Sequence, residues 1–127
     1  MKVLLVEDEI RVAALYRQFL SDLGEITIAV DGVEALRHFE KSMEQEDPYE
    51  VLITDLDMPI MSGAELIEKV NELDSEVFKI VVTGTLTPDK KNVLKDLGVR
   101  HFFKKPVDFA GLLDVLYSDE QSQDTNF

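Results

Sequence analysis

Five short apolar runs, at residues 2–6 (KVLLV), 26–30 (ITIAV), 51–54 (VLIT), 77–82 (VFKIVV) and 101–103 (HFF), punctuate the chain. Most lack the strict apolar–polar alternation of a half-exposed strand, and short apolar runs of this kind suit strands buried on both faces. The segments between them have a helical period. The first carries Val12, Leu15, Tyr16, Phe19 and Leu23 at helical spacing and stops at Gly24. The second repeats the pattern with Val33, Leu36, Phe39 and Met43, and the third opens on Ser62 with Glu65 three residues later, a capping box. The fourth opens Thr87-Pro88-Asp89, an N-cap followed by proline at the first helical position. The last follows Pro106, with Asp108 as its cap and Leu112, Leu113 and Leu116 facing inward.

Strand-then-helix units joined by short connections imply an α/β fold with a five-stranded parallel sheet. Right-handed crossovers make it doubly wound, with helices on both faces. Only the polar stretch SDEQSQDTNF (118–127) reads as a tail or linker remnant, leaving residues 1–117 as one domain.

Composition changes the picture in what it excludes. A formal net charge of -13 opposes general binding to nucleic acid or an anionic membrane, because the field of the whole molecule repels phosphates. The chain has no cysteine, which removes disulfides, thiolate metal sites and cysteine nucleophiles. The opening MKVLLVEDE is too short in apolar residues for a signal peptide, and no later run approaches a membrane span, so cytoplasmic residence is the expectation. Charge is also uneven: residues 1–78 carry 6 basic and 19 acidic residues, whereas residues 79–105 carry 7 and 2.

Candidate chemistry gathers where α/β sheets bind ligands, beyond the carboxyl ends of the strands. The first strand runs into Glu7-Asp8, the third into Asp55 with Asp57 two places on, the fourth into Thr83 and the fifth into Lys104-Lys105. Singly, each has a plain structural explanation: an acid capping a helix, a β-branched strand residue, a surface lysine. Together they form a chemical set. Neighbouring carboxylates raise one another's proton affinity unless a cation is present, and Mg²⁺ suits oxygen ligands and bridges to phosphoryl groups. An aspartate can become an aspartyl phosphate, with a hydroxyl and an ammonium to receive the phosphoryl oxygens. His38 and His101 lack metal-ligand spacing and read as surface or edge residues.

The segments LLVEDE (4–9), DGVEAL (31–36), DLDMPIMSG (55–63), IVVTG (80–84) and FKKP (103–106) occur in this order. On these motifs the sequence resembles the response-regulator receiver domain of two-component signalling, the CheY-like superfamily, over residues 1–117. The resemblance implies a flavodoxin-like strand order 2-1-3-4-5 and phosphorylation of Asp55. It implies Mg²⁺ (or Mn²⁺) held by the side chains of Asp8 and Asp55, by Glu7 through water and by the backbone carbonyl of Asp57. Thr83 and Lys105 would contact the phosphoryl group, Pro106 would follow a cis peptide bond, and Phe102 would be the switch aromatic beside Thr83.

The implied partners are a sensor histidine kinase or histidine phosphotransfer protein as donor, and a downstream protein or output domain as receiver of the signal. A homodimer through the face of helix 4, strand 5 and helix 5 is a further implication. The domain would not be an enzyme with its own substrate, although it would assist its own phosphorylation and dephosphorylation. Several positions depart from the commonest pattern: Phe102 lacks a tyrosine's hydroxyl, Gly84 replaces alanine, Asp57 adds an acid, and the MEQEDPYE connection (43–50) is long and acidic.

Two other functions compete. A phosphorylation-independent binding module would keep the fold, although Asp8, Asp55, Thr83 and Lys105 are all present. The Asp55-x-Asp57 pair also resembles the nucleophile motif of haloacid-dehalogenase-type phosphatases. Pro59 stands where that motif wants threonine or valine, the acids come in the reverse order, and no cap is evident. Flavin binding is disfavoured by the two acids after the first strand.

Overall fold

The computed structural model describes the backbone of residues 1–124 and the side chains of residues 1–118. Strands β1 (Lys2–Val6), β2 (Glu25–Ala29), β3 (Val51–Thr54), β4 (Phe78–Thr83) and β5 (His101–Lys104) alternate with helices α1 (Ile10–Leu20), α2 (Gly32–Glu44), α3 (Gly63–Leu73), α4 (Pro88–Asp96) and α5 (Phe109–Asp124). The strands form one sheet in the order β2-β1-β3-β4-β5, every pair parallel. This is the doubly wound flavodoxin-like arrangement.

Side chains of successive strand residues point to opposite faces, so each central strand feeds two cores. Leu4, Leu52 and Val81 pack with Ala35 and Phe39 of α2, Leu66, Ile67 and Val70 of α3, and Leu94 of α4. Val3, Leu5, Ile53, Ile80 and Val82 pack on the other side with Tyr16 and Leu20 of α1 and Leu112 and Leu116 of α5. The central strand β3 is buried along its whole length, as its unbroken apolar sequence requires. The edge strands β2 and β5 are only partly buried.

Local signals are realised at the helix starts. The Ser62 side chain accepts the Glu65 N–H at 3.2 Å, and the Thr87 side chain accepts the Lys90 N–H at 3.2 Å. Asp31 caps α2 by accepting the Glu34 N–H at 2.8 Å. In α1 the expected inward stripe is shifted. Tyr16 and Leu20 are buried, while Leu15 and Phe19 remain 42% and 44% exposed. The inward face centres on Tyr16 and Leu20, four residues apart, and Leu15 and Phe19 fall on its flank. Phe19 instead stacks on Phe109 of α5, with ring centroids 4.6 Å apart. Gly24 then turns the chain into β2 with φ +139°, where an added Cβ would collide with the Met1 carbonyl oxygen.

The polar stretch from residue 118 is helical as far as Asp124, and residues 125–127 of the expected tail lie outside the described residues. Among the described residues, no helix is long and apolar enough to cross a membrane.

Candidate functional site

The carboxyl ends of β1 and β3 deliver their acids to one cleft of about 30 Å³, lined by Glu7, Asp8, Asp55, Asp57 and Lys105. Asp55 follows the last residue of β3, where the strand's own hydrogen bonding gives out. Its Oδ1 accepts the N–H groups of Leu56 at 2.6 Å and Asp57 at 3.3 Å, which set the carboxylate's orientation. Its Oδ2 accepts a hydrogen bond from Lys105 Nζ at 2.6 Å, across fifty residues of chain. Lys105 is placed by its backbone N–H, which donates to the Thr83 carbonyl at 3.0 Å, and the following peptide to Pro106 is cis.

Glu7 is nearly buried at 8% exposure. Its Oε2 accepts the Glu9 N–H at 3.0 Å. Burial pushes the Glu7 carboxyl above its ordinary range and the adjoining Asp8 adds to the effect, while the Glu9 N–H and the Lys105 charge pull the other way. For Lys105, partial burial works to lower the ammonium's pKa, but the Asp55 hydrogen bond and the charges of Asp55, Glu7 and Asp8 outweigh it, leaving the group above its usual value. Tyr16, buried and sharing an adjoining pocket with Glu7 and Lys105, is raised by burial and then by the charges of Glu7 and Asp55.

Thr83 is 1% exposed and faces elsewhere. Its Oγ1 accepts the Thr85 N–H at 3.3 Å and donates to the Thr85 carbonyl at 3.4 Å. With Phe102 it lines a separate cavity of about 490 Å³ between the β4–α4 loop and β5. Phe102 is partly buried there, with Lys91 Nζ 5.4 Å from its ring centroid. Two further features are invisible in the sequence pattern. The Thr85 hydroxyl donates to Asp57 Oδ2 at 2.5 Å, tying the β4–α4 loop to the β3–α3 loop. Ile60 adopts φ +71° at 83% exposure, a conformation rare for a β-branched residue. The only sequence hint of Thr85 is that its hydroxyl recurs two places beyond Thr83.

The acids suit one particular kind of cation. Among the described residues, no three acidic or histidine side chains are arranged to hold a metal ion by themselves. Mg²⁺ does not need such a cage, because it commonly uses one or two carboxylates and keeps several waters. The cleft offers more than the space one water requires. A hard, partly hydrated cation therefore fits this donor set, whereas a dry multidentate site does not.

Comparison with known proteins agrees with this architecture. The response regulator receiver domain family model matches residues 3–117. A response regulator receiver protein of Anaeromyxobacter sp. (strain Fw109-5) is 30% identical over 115 residues, covering 90% of this chain and 46% of that protein. The CheY-like receiver domain protein of Methanospirillum hungatei JF-1 superposes with a TM-score of 0.84 at 26% identity, covering 99% of this chain and 98% of that one. The chemotaxis protein CheY4 of Vibrio cholerae gives 0.77 at 32% identity, covering 92% and 96%. The chain spans less than half the length of the curated relatives it matches. With the β2-β1-β3-β4-β5 sheet and the motifs at its strand ends, the chain belongs to the response-regulator receiver domain family of two-component signalling.

Proposed function

We propose that this receiver domain is a phosphoacceptor switch centred on Asp55. The observation that carries the proposal is the 2.6 Å bond from Lys105 Nζ to Asp55 Oδ2 in a cleft shared with Glu7, Asp8 and Asp57. A carboxylate oxygen of Asp55 attacks the phosphorus of a phosphohistidine on a sensor histidine kinase or histidine phosphotransfer protein. The new O–P bond forms as the P–N bond breaks, and the imidazole leaves with the bonding electron pair. The N–H groups of Leu56 and Asp57 hold the carboxylate in place. Lys105 passes from the carboxylate to the phosphoryl oxygens, and the Thr83 hydroxyl supplies a further hydrogen bond.

Asp8 and Asp55, with Glu7 and Asp57 beside them in the cleft, would hold Mg²⁺ or Mn²⁺, which when bound would supply positive charge offsetting the repulsion between carboxylates and phosphoryl oxygens. Phosphorylation acts as a switch only by interacting differently with two conformations. Thr83 and Phe102, which line one cavity, are the residues through which the face of α4, β5 and α5 would register it. The basic residues Lys90, Lys91, Lys95, Arg100 and Lys104 suit an acidic downstream partner, an output domain or a second copy of the chain.

Intact mass after incubation with acetyl phosphate and Mg²⁺ tests the reading. One phosphate adduct is expected, absent with EDTA and absent in Asp55→Asn. Uptake by Asp55→Asn at the wild-type rate would remove Asp55 from the mechanism.

A further inference from the structure

Thr85 joins the two halves of the site. Its hydroxyl donates to Asp57 Oδ2 at 2.5 Å, the separation expected of a hydroxyl on an ionised carboxylate. Its main chain meanwhile holds the Thr83 hydroxyl from both sides, the N–H donating to Oγ1 and the carbonyl accepting from it. The Thr83 hydroxyl thus donates and accepts on the α4 side, and Thr83 does not line the acid cleft.

Little else restrains this loop. A Cβ built on Gly84 would meet nothing within 4 Å, so neither packing nor a positive φ fixes that residue. Helix α4 beyond it buries only Leu94. Cavities flank its N-terminal turn, about 430 Å³ on the α3 side and about 490 Å³ on the β5 side. The loop has room to move in both directions, and the Thr85–Asp57 bond is what spans it to the β3–α3 loop.

We infer that Thr85 is a positioning residue whose hydrogen bond to Asp57 holds Thr83 turned away from Asp55, and that this bond opens before the Thr83 hydroxyl reaches a phosphoryl group on Asp55. The inference rests on the phosphoacceptor reading above. Asp57 thereby acquires a second role, in which its side chain restrains the unphosphorylated state from within the acid cleft.

Thr85→Val keeps size and backbone N–H but removes the hydroxyl, and Thr85→Ser keeps the hydroxyl. In the unphosphorylated protein, amide hydrogen exchange at positions 85 and 86 should rise roughly tenfold in Thr85→Val, the scale of losing one charge-assisted hydrogen bond, and stay near wild type in Thr85→Ser. The rate of phosphate uptake from acetyl phosphate should rise about threefold or more in Thr85→Val and return in Thr85→Ser. Unchanged exchange in Thr85→Val overturns the restraint, and faster exchange with an unchanged uptake rate overturns its link to Thr83. Equal behaviour of the valine and serine variants would show that the hydroxyl is not the cause. If the wild type itself takes up no phosphate, the phosphoacceptor reading fails and takes this inference with it; if the wild type does and only the Thr85 variants disagree, the inference alone fails.

Discussion

Lys79 is buried to 4% exposure near the start of β4. It lies beside Leu52 in the β3–β4 register, on the face that packs against α3 and α4. Its ammonium donates to the carbonyls of Ser75 at 3.1 Å and Val77 at 3.2 Å, bracing the α3–β4 connection. Burial lowers its pKa below the usual lysine value; Asp74 and Glu76 oppose this and Arg100 adds to it. The sign follows from linkage. Between the folded pKa and the ordinary value of 10.5, the unfolded chain holds the proton more tightly, so this lysine's contribution to stability is full above 10.5 and lost as pH falls through the folded pKa. Urea unfolding near pH 7.5 and near pH 10 should therefore show wild type gaining on Lys79→Met at the higher pH. No change in the difference between the two would contradict the burial effect. The alternation in VFKIVV places Lys79 on the same face as Val77 and Val81, so its direction was legible. What the sequence did not show is that carbonyls wait there to receive it.

At the scale of elements, the junction of β3 and α3 determines where the Asp55 carboxylate points. The Gly63 N–H donates to the Leu56 carbonyl at 3.0 Å, and an added Cβ on Gly63 would collide with the Asp55 carbonyl oxygen. Nothing flexible can yield there, because the atom in the way is backbone. Gly63→Ala should cost about 1–3 kcal/mol in urea unfolding, as overpacking does, and should slow phosphate uptake because Asp55 is displaced with its peptide. A variant of wild-type stability and uptake would show that α3 does not press on Asp55. The same junction shows which local signals can be read directly. The caps Ser62 and Thr87 need only their own helices and appear as expected. Which flank of α1 is covered depends on where α5 packs against it, as Phe109 does on Tyr16 and Phe19, and the period of α1 does not encode that.

Over the whole molecule, the net charge of -13 acts on a small domain as self-repulsion. The balance is uneven, -13 over residues 1–78 against +5 over residues 79–105, so the repulsion is concentrated outside β4, α4 and β5. Added NaCl shortens the range of that field from about 30 Å at 0.01 M to about 8 Å at 0.15 M. The urea midpoint should rise over this range of salt, and a fall would mean that attractive pairs outweigh repulsion.

The sequence by itself determined the alternation of strands and helices, two helix caps, and which residues stand at strand ends, because periodicity and short-range hydrogen bonds are local. The assembly of Glu7, Asp8, Asp55 and Lys105 was legible through family motifs. Only the tertiary structure decided how these residues meet. The Asp55–Lys105 pair closes across fifty residues, Thr83 turns toward Thr85 and leaves the acid cleft, and the Thr85 hydroxyl reaches Asp57 from another loop. Each depends on strand register and on the packing of segments far apart in the chain, and no local pattern carries that information.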